Sequence, residues 1–269
     1  MVKRTLRCYI PNIWLLLLKF RGDGTMNEEN AWEQLNEQVG ELYYQGKFNE
    51  AIEIAEQALI LAQSLHPGDH PHVALSLNNL AYLYESQGHY ADAEHLYLQA
   101  LEMWQRLFNG DHPYAVTNLD NLALLYYSQG RYTDAVPLSQ KALEMRKRLF
   151  PGNHPDVATS LNNLGSLYNI QGRYAEAEPL YLQALEMWQC LFNGDHHDVA
   201  TSLNNLAYLY NSQGRYAEAE PLYLQALEMR KRLFNGDHPD VATSLNNLAL
   251  LYYSQGRYAE AEPLYLQAL

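Results

Sequence analysis

Apolar and polar positions alternate along this chain with two interleaved helical rhythms. In residues 200–241, Leu203, Leu206, Ala207 and Tyr210 fall at i, i+3, i+4 and i+7, one face of a 3.6-residue period. Gln213-Gly214-Arg215 breaks that stripe, and glycine is the residue that most readily ends a helix in the left-handed conformation. A second stripe follows: Ala219, Leu222, Tyr223, Ala226, Leu227, Met229 or Arg230, and Leu233. Asn235-Gly236-Asp237-His238-Pro239 then reads as a turn, its proline suited to the first position of the next helix, where no amide hydrogen is needed.

This pair of predicted helices is copied. One glycine recurs as Gly88, Gly130, Gly172, Gly214 and Gly256, in steps of 42 residues. Residues 158–199 differ from 200–241 at seven places. The units fall at 74–115, 116–157, 158–199, 200–241 and, truncated, 242–269. A degenerate first unit occupies 26–73, with Gly46 and Phe48 in the matching places. A repeat of this period predicts a stacked array in which each unit buries its apolar face on its neighbours. Pro137, Pro179, Pro221 and Pro263 sit near the start of the second helix of their copies, and His95 takes that place earlier. A proline there removes one backbone hydrogen bond and crowds the preceding turn. The expectation is a late start or a distorted first turn in those four helices.

Leu203, Leu206, Ala207, Tyr210, Gly214, Tyr216, Ala219, Tyr223 and Ala226 match the large and small positions of the tetratricopeptide repeat, which these units resemble. The usual unit has about 34 residues. The longer form here, with N-N-L-A and G-D-H-P-D-V-A, is similar to the repeats of kinesin light chain and related bacterial proteins. The resemblance spans about residues 31–269. It implies an all-α fold: an α-solenoid of stacked antiparallel helix pairs forming a right-handed superhelix, with the first helices on the concave wall. It also implies a binding scaffold for protein partners, while function is only loosely tied to such a fold.

Charge separates the ends from the array. Residues 1–25 carry five Lys or Arg and one acid, which leaves 13 basic and 30 acidic residues in 26–269. A net charge of −13 for the whole chain argues against binding nucleic acid, which needs a basic face. Ile13–Leu18 is apolar but far shorter than the roughly 18 residues that span a bilayer, and no small-residue cleavage site follows it. The leader is read as a disordered or non-native extension rather than an export signal or anchor, so no firm membrane association is expected. Two cysteines, Cys8 and Cys190, form no disulfide framework and suit a reducing, cytoplasmic setting. The sequence stops at Ala268-Leu269, part-way along a second helix. Repeat arrays need a polar cap, so the expectation is either a fragment of a longer array or an open end that packs on another copy.

The face of the first helix opposite its apolar stripe carries Thr201, Asn204, Asn205, Tyr208, Asn211 and Ser212. Asn79, Asn121, Asn163, Asn205 and Asn247 recur without exception, preceded by Asn78, Asp120, Asn162, Asn204 and Asn246. A side-chain amide offers both donor and acceptor, so a row of them suits the backbone of an extended peptide. The repeats of the O-linked N-acetylglucosamine transferase carry a similar ladder, and the resemblance implies the same use. Tyr82, Tyr127, Tyr208 and Tyr253 add apolar area with a polar tip. The competing role for these amides is to bond the adjacent repeat and set its stacking, since buried amides must be satisfied somewhere.

No Lys or Arg occurs in any first helix from Ala74 onward, so a partner held by its carboxylate, such as a chaperone tail or an acidic cargo peptide, is not expected. His70, His112, His154, His196 and His238 recur, but equivalent atoms of stacked repeats lie on the order of 10 Å apart, too far to share an ion. They are read as closing the linker turn, which His197 loosens by replacing the proline. Glu218, Glu220 and Glu228 are read as a solvated outer face, and Cys190 as passive. Trp104 and Trp188, standing where Arg146 and Arg230 stand in other copies, fit either the seam between repeats or an exposed contact. No phosphate loop, nucleophile elbow or HExxH motif is present. The sequence therefore predicts no catalytic residue, metal or cofactor. Three roles follow: a scaffold for a protein or peptide partner of unknown identity, a module that self-associates through its uncapped C-terminal helix, and, by resemblance, a kinesin light chain-like cargo adaptor.

Overall fold

A computed structural model describes residues 28–234 and 237–269; the 1–25 leader lies outside the described residues. Regular structure among them is all helical. The helices are α1 (Glu28–Tyr44), α2 (Phe48–Leu65), α3 (Pro71–Ser86), α4 (Tyr90–Leu107), α5 (Pro113–Ser128), α6 (Tyr132–Leu149), α7 (Pro155–Ile170), α8 (Tyr174–Leu191), α9 (His197–Ser212), α10 (Tyr216–Leu233), α11 (Pro239–Ser254) and α12 (Tyr258–Gln267). They form two compact units, divided after Leu149. Residues 28–149 hold α1 to α6, and residues 150–269 hold α7 to α12. Within each unit consecutive helices pack on one another. First helices of successive pairs also touch: α3 with α5 in one unit, α7 with α9 and α9 with α11 in the other.

The glycine at the end of each first helix carries a positive φ, from 71° to 80°, a conformation that side chains bearing a Cβ seldom adopt. The hydrogen bonds there are those of a Schellman cap. In α3, Gly88 N–H donates to the Glu85 carbonyl and His89 N–H to the Tyr84 carbonyl, both at 2.9 Å, which satisfies carbonyls the helix end would orphan. Each linker ends in a capping histidine. The Nδ1 of His70, His112, His154, His196 and His238 accepts from the N–H two residues on, at 3.1–3.3 Å. Proline follows as the first helical residue in every case but one. In that case, α9 starts at His197 in the same register, and His197 Nδ1 lies 3.1 Å from Asp240 Oδ2. The proline-free linker keeps its helix boundary and gains a polar partner.

Four prolines lie inside second helices without delaying them. α6, α8, α10 and α12 contain Pro137, Pro179, Pro221 and Pro263. All four begin at the tyrosine that matches Tyr90, the start of the proline-free α4. Entry geometry is also shared: His89 has φ −80° and ψ 62°, Arg215 φ −81° and ψ 59°. The expected late start is absent: the remaining turns of each helix pack on the first helix of the same pair, which outweighs one lost bond.

The core is the predicted one with additions. Leu203, Leu206, Ala207 and Tyr210 are buried, and so are Ala219, Tyr223, Ala226, Leu227 and Met229; Leu233 is exposed. The small position of the first helix receives the tyrosine of the second. A Cβ on Gly165 would stand 3.1 Å from the Tyr181 ring. Both tryptophans resolve to the seam between repeats rather than an exposed contact: Trp104 and Trp188 are buried, as is Trp32. Trp104 stacks on Tyr114 with ring centroids 4.9 Å apart. Where arginine replaces tryptophan the seam turns polar. Arg230 is buried and donates to Ser244 Oγ at 2.8 Å and to the Asp240 carbonyl at 3.1 Å. Arg146 pairs with Asp120.

Two predictions follow from these elements. Pro221→Ala restores an amide donor at an exposed helical position, so it raises stability by about 1–3 kcal/mol, read by chemical denaturation. An unchanged or lowered stability would show that the proline ring packs productively. Burial pushes the Glu85 carboxyl up to about 7 from 4.5, against the opposing effect of the Tyr97 hydroxyl that donates to it at 3.0 Å. The folded state thus holds this proton more tightly than the unfolded chain. Stability from this group is full below pH 4.5 and is lost as the pH rises toward 7. Glu85→Gln removes that loss, so the difference in stability between variant and parent grows in the variant's favour across this window.

Candidate functional site

The first helices are buried on more than their apolar stripe. α9 packs on its own partner α10, on the preceding α8 and on the first helices α7 and α11. Asn204 and Asn205, which periodicity places on an open face, are therefore buried at 4% and 8% exposure, and Asn78 and Asn79 likewise at 4% and 3%. Asn121, Asn162, Asn163 and Asn247 are half-buried, and Asn246 is exposed.

These amides bond to one another across repeats. Asn79 Nδ2 donates to Asn36 Oδ1 at 3.0 Å, and Asn121 Nδ2 to Asn78 Oδ1 at 3.1 Å. In the other unit Asn247 Nδ2 donates to Asn204 Oδ1 at 2.8 Å. Each of these bonds joins residues 43 apart, so the second asparagine of one copy reaches the first asparagine of the copy before, or its equivalent Asn36. Asn118 adds a second donor to Asn78 Oδ1 at 3.0 Å, and Asn162 Nδ2 donates to Ser202 Oγ at 3.0 Å. Much of the ladder's hydrogen-bonding capacity is thus used in stacking.

A second set of links lies at the mid-unit turn. Arg131, Arg215 and Arg257 pair with Glu94, Glu178 and Glu220 of the preceding copy at 2.7–2.8 Å. The same glutamates accept from Tyr126, Tyr210 and Tyr252 at 2.8–3.1 Å. Each guanidinium lies over that tyrosine's ring, 4.0 Å from its centroid. Arg257 holds the Glu220 carboxyl below its ordinary range. Glu220 is therefore a joint between repeats, which corrects its reading as a solvated carboxylate; Glu218 and Glu228 are exposed as expected. A third link pairs Arg106 with Asp69, Arg148 with Asp111 and Arg232 with Asp195 at 2.5–2.6 Å. In the remaining copy both partners are exchanged together: Asn153 stands in the Asp place and Cys190, exposed, in the Arg place.

What the first helices leave accessible includes Asn246 and some of their tyrosines and threonines. Tyr253 is 56% exposed, and Tyr82, Tyr127 and Tyr208 are half-buried. Tyr82 shares a hydrogen bond with Tyr43 at 2.8 Å. The site residues fall in both units: Asn78, Asn79, Asn121, Tyr82 and Tyr127 in 28–149, and Asn162, Asn163, Asn204, Asn205, Asn246, Asn247, Tyr208 and Tyr253 in 150–269. One cluster escaped sequence reasoning. His66, His70 and His72 converge in the turn between α2 and α3. Burial drives His72 down to about 4, so its imidazole is neutral. The signal available was the spacing H-x-x-x-H-x-H in residues 66–72, which a comparison of equivalent histidines 42 residues apart does not inspect.

Among the described residues no helix is long and apolar enough to cross a membrane. The family model for the tetratricopeptide repeat matches at 34–106, 90–148, 116–190, 156–232 and 198–269. No curated protein matches the sequence. Solved structures do. A putative kinesin light chain of Podosopora anserina with nearly identical TPR-like repeats is 23% identical with a TM-score of 0.69, over 76% of this chain and 96% of that one, a likeness of fold alone. BtubC (BKLC) from P. vanneervenii is 28% identical with a TM-score of 0.65, over 87% and 89%. Pseudomonas aeruginosa pilF is 18% identical with a TM-score of 0.60, over 89% and 91%, a likeness of fold alone. Helix pairs closed by Schellman glycines, small positions that receive tyrosines, and the matched repeats agree: the chain belongs to the tetratricopeptide repeat family.

Proposed function

We propose that this protein is a non-enzymatic scaffold that holds an extended peptide or a partner helix against the wall formed by its first helices. Proteins of this family are generally protein–protein interaction scaffolds. The observation that carries the reading is the composition of that wall. Within the units first helices touch, α3 with α5, α7 with α9 and α9 with α11, and from Ala74 onward none contains Lys or Arg. They present tyrosine rings with amide and hydroxyl groups between them. Tyrosine supplies contact area with a hydrogen-bonding tip, and a neutral wall selects neutral, partly apolar segments over carboxylate tails. Since Asn78, Asn79, Asn204 and Asn205 are buried, the contact falls to the more accessible members: Tyr208, Asn246 and Tyr253 in the 150–269 unit, and Tyr82, Asn121 and Tyr127 in the 28–149 unit.

The cargo-adaptor role rests only on the name of the Podosopora anserina relative and stands as a narrower form of this proposal. Self-association is the second reading. It is favoured by exposed leucines that recur at one place on the second helices: Leu98, Leu182, Leu224 and Leu266.

Ligands for the test come from a random peptide display library selected on the intact chain. The triple variant Tyr208→Ala, Asn246→Ala, Tyr253→Ala keeps its helical circular dichroism and binds the selected peptides roughly tenfold or more weakly, the loss of a few interface contacts. The exposed outer pair Glu228→Ala, Lys231→Ala leaves binding unchanged. Equal affinity in the triple variant would contradict the wall as the site. Light scattering that shows mass rising with concentration would favour the self-associating module.

A further inference from the structure

The linker between α2 and α3 departs from the others in its chemistry. In four linkers a phenylalanine at the end of the second helix stacks on the capping histidine. The ring centroids are 3.6 Å apart for Phe108–His112, 4.0 Å for Phe150–His154, 3.4 Å for Phe192–His196 and 3.7 Å for Phe234–His238. In the first linker the phenylalanine is replaced by His66, which stacks on His70 at 3.4 Å. The residue after the helix-starting proline is His72, where later copies carry Tyr114, Asp156, Asp198 and Asp240. Stacking explains an aromatic ring at position 66, but a phenyl ring serves that purpose four times over, and stacking says nothing of His72.

The three rings bring one nitrogen each to within 4.8 Å of the others. His72 is 8% exposed, and its Nδ1 is buried with no hydrogen-bond partner; His66 Nε2 is buried and unpartnered as well. Buried polar atoms of this kind call for an explanation, an unseen ion among them. The His72 ring is held in place: Trp32 stacks on it at 4.0 Å and 9°. His66 closes α2, and His70 caps α3, so the ligands sit on the ends of packed helices rather than on a free loop.

We propose that His66, His70 and His72 form a site for one divalent transition-metal ion in this turn. Three imidazole ligands suit Zn2+, Cu2+, Ni2+ or Co2+ and not the oxygen-seeking Mg2+ or Ca2+. Zinc–nitrogen bonds of about 2.0–2.1 Å in a tetrahedral site place ligand nitrogens about 3.3 Å apart, so the rings close on the ion by an ångström or two. Parallel stacked rings do not aim their lone pairs at one point, so His66 turns out of its stack when the ion binds. His70 gives up its contact with the His72 N–H, because a metal on one ring nitrogen requires the proton on the other. His72 stays where Trp32 holds it. The fourth position is left for water or an outside ligand, the arrangement of an open three-histidine site.

The test titrates the untagged, reduced full chain with Zn2+ in competition with a chromogenic chelator at neutral pH. Two variants install residues the other linkers already use: His66→Phe, as in the four phenylalanine linkers, and His72→Tyr, as at Tyr114. Metal-free thermal melts check that each is folded. The parent binds one Zn2+ per chain, excess Mg2+ does not compete, and each folded variant loses roughly tenfold or more in affinity. Co2+ in place of Zn2+ gives the absorption of a nitrogen-ligated site with no thiolate charge-transfer band. A parent that binds no Zn2+, a folded variant that binds as tightly as the parent, or a thiolate band implicating Cys8 or Cys190 would each overturn the site.

Discussion

A pair of helices about 42 residues long cannot bury both of its apolar faces alone. Every other feature of the molecule follows from that constraint. A single pair falls near the size at which a chain needs outside help to fold, and here the help is the next copy. The small position at Ala207 or Gly165, the buried Tyr181 and Tyr223, and the seam tryptophans Trp32, Trp104 and Trp188 are the apolar part of the solution. Apolar packing is non-directional, so it favours stacking without choosing a register. The register is chosen by polar groups that repeat at the period of the array.

Three such links recur, and their magnitudes rank them. The Arg–Asp pairs at Arg106, Arg148 and Arg232 have arginine side chains more than half exposed, and water and salt screen such pairs until they contribute little. Their simultaneous exchange for Asn153 and Cys190 in one copy fits so small a contribution. The Arg–Glu–Tyr joints are less exposed and combine an ion pair, a hydroxyl donor and a cation–π contact. The asparagine bonds matter most, because several of the groups are buried. A buried amide left without its partner costs about 1–3 kcal/mol, so a slipped register is penalised wherever an asparagine loses its counterpart. The residues best placed by sequence to touch a ligand are in large part the residues that hold the array together.

Most of the fold was legible in the sequence because its determinants are local. Gly214 and its equivalents, the linker prolines and the capping histidines act within a few residues of themselves. The burial of Asn204 and Asn205 was not legible, since periodicity along one helix sees a single face, and α9 is covered from four directions. Pro221 misled because a local cost was weighed without the packing that overrides it. Glu220 misled because a carboxylate repeated along an array looks solvated until the arginine 37 residues on is brought beside it. Trp104 and Trp188 could be placed only once the seam existed. The convergence of His66, His70 and His72 was in view but hidden by the repeat, which draws attention to what the copies share.

Buried amide bonds between copies set the stacking of the array. A double-mutant cycle on Asn204 and Asn247, each changed to alanine singly and together, measures it most directly by chemical denaturation. Either single change is destabilising and the pair is coupled by about 1 kcal/mol or more, because the second change removes a partner already stranded by the first. Strictly additive effects, with coupling near zero, would contradict it and return the asparagine ladder to the role of a ligand surface alone.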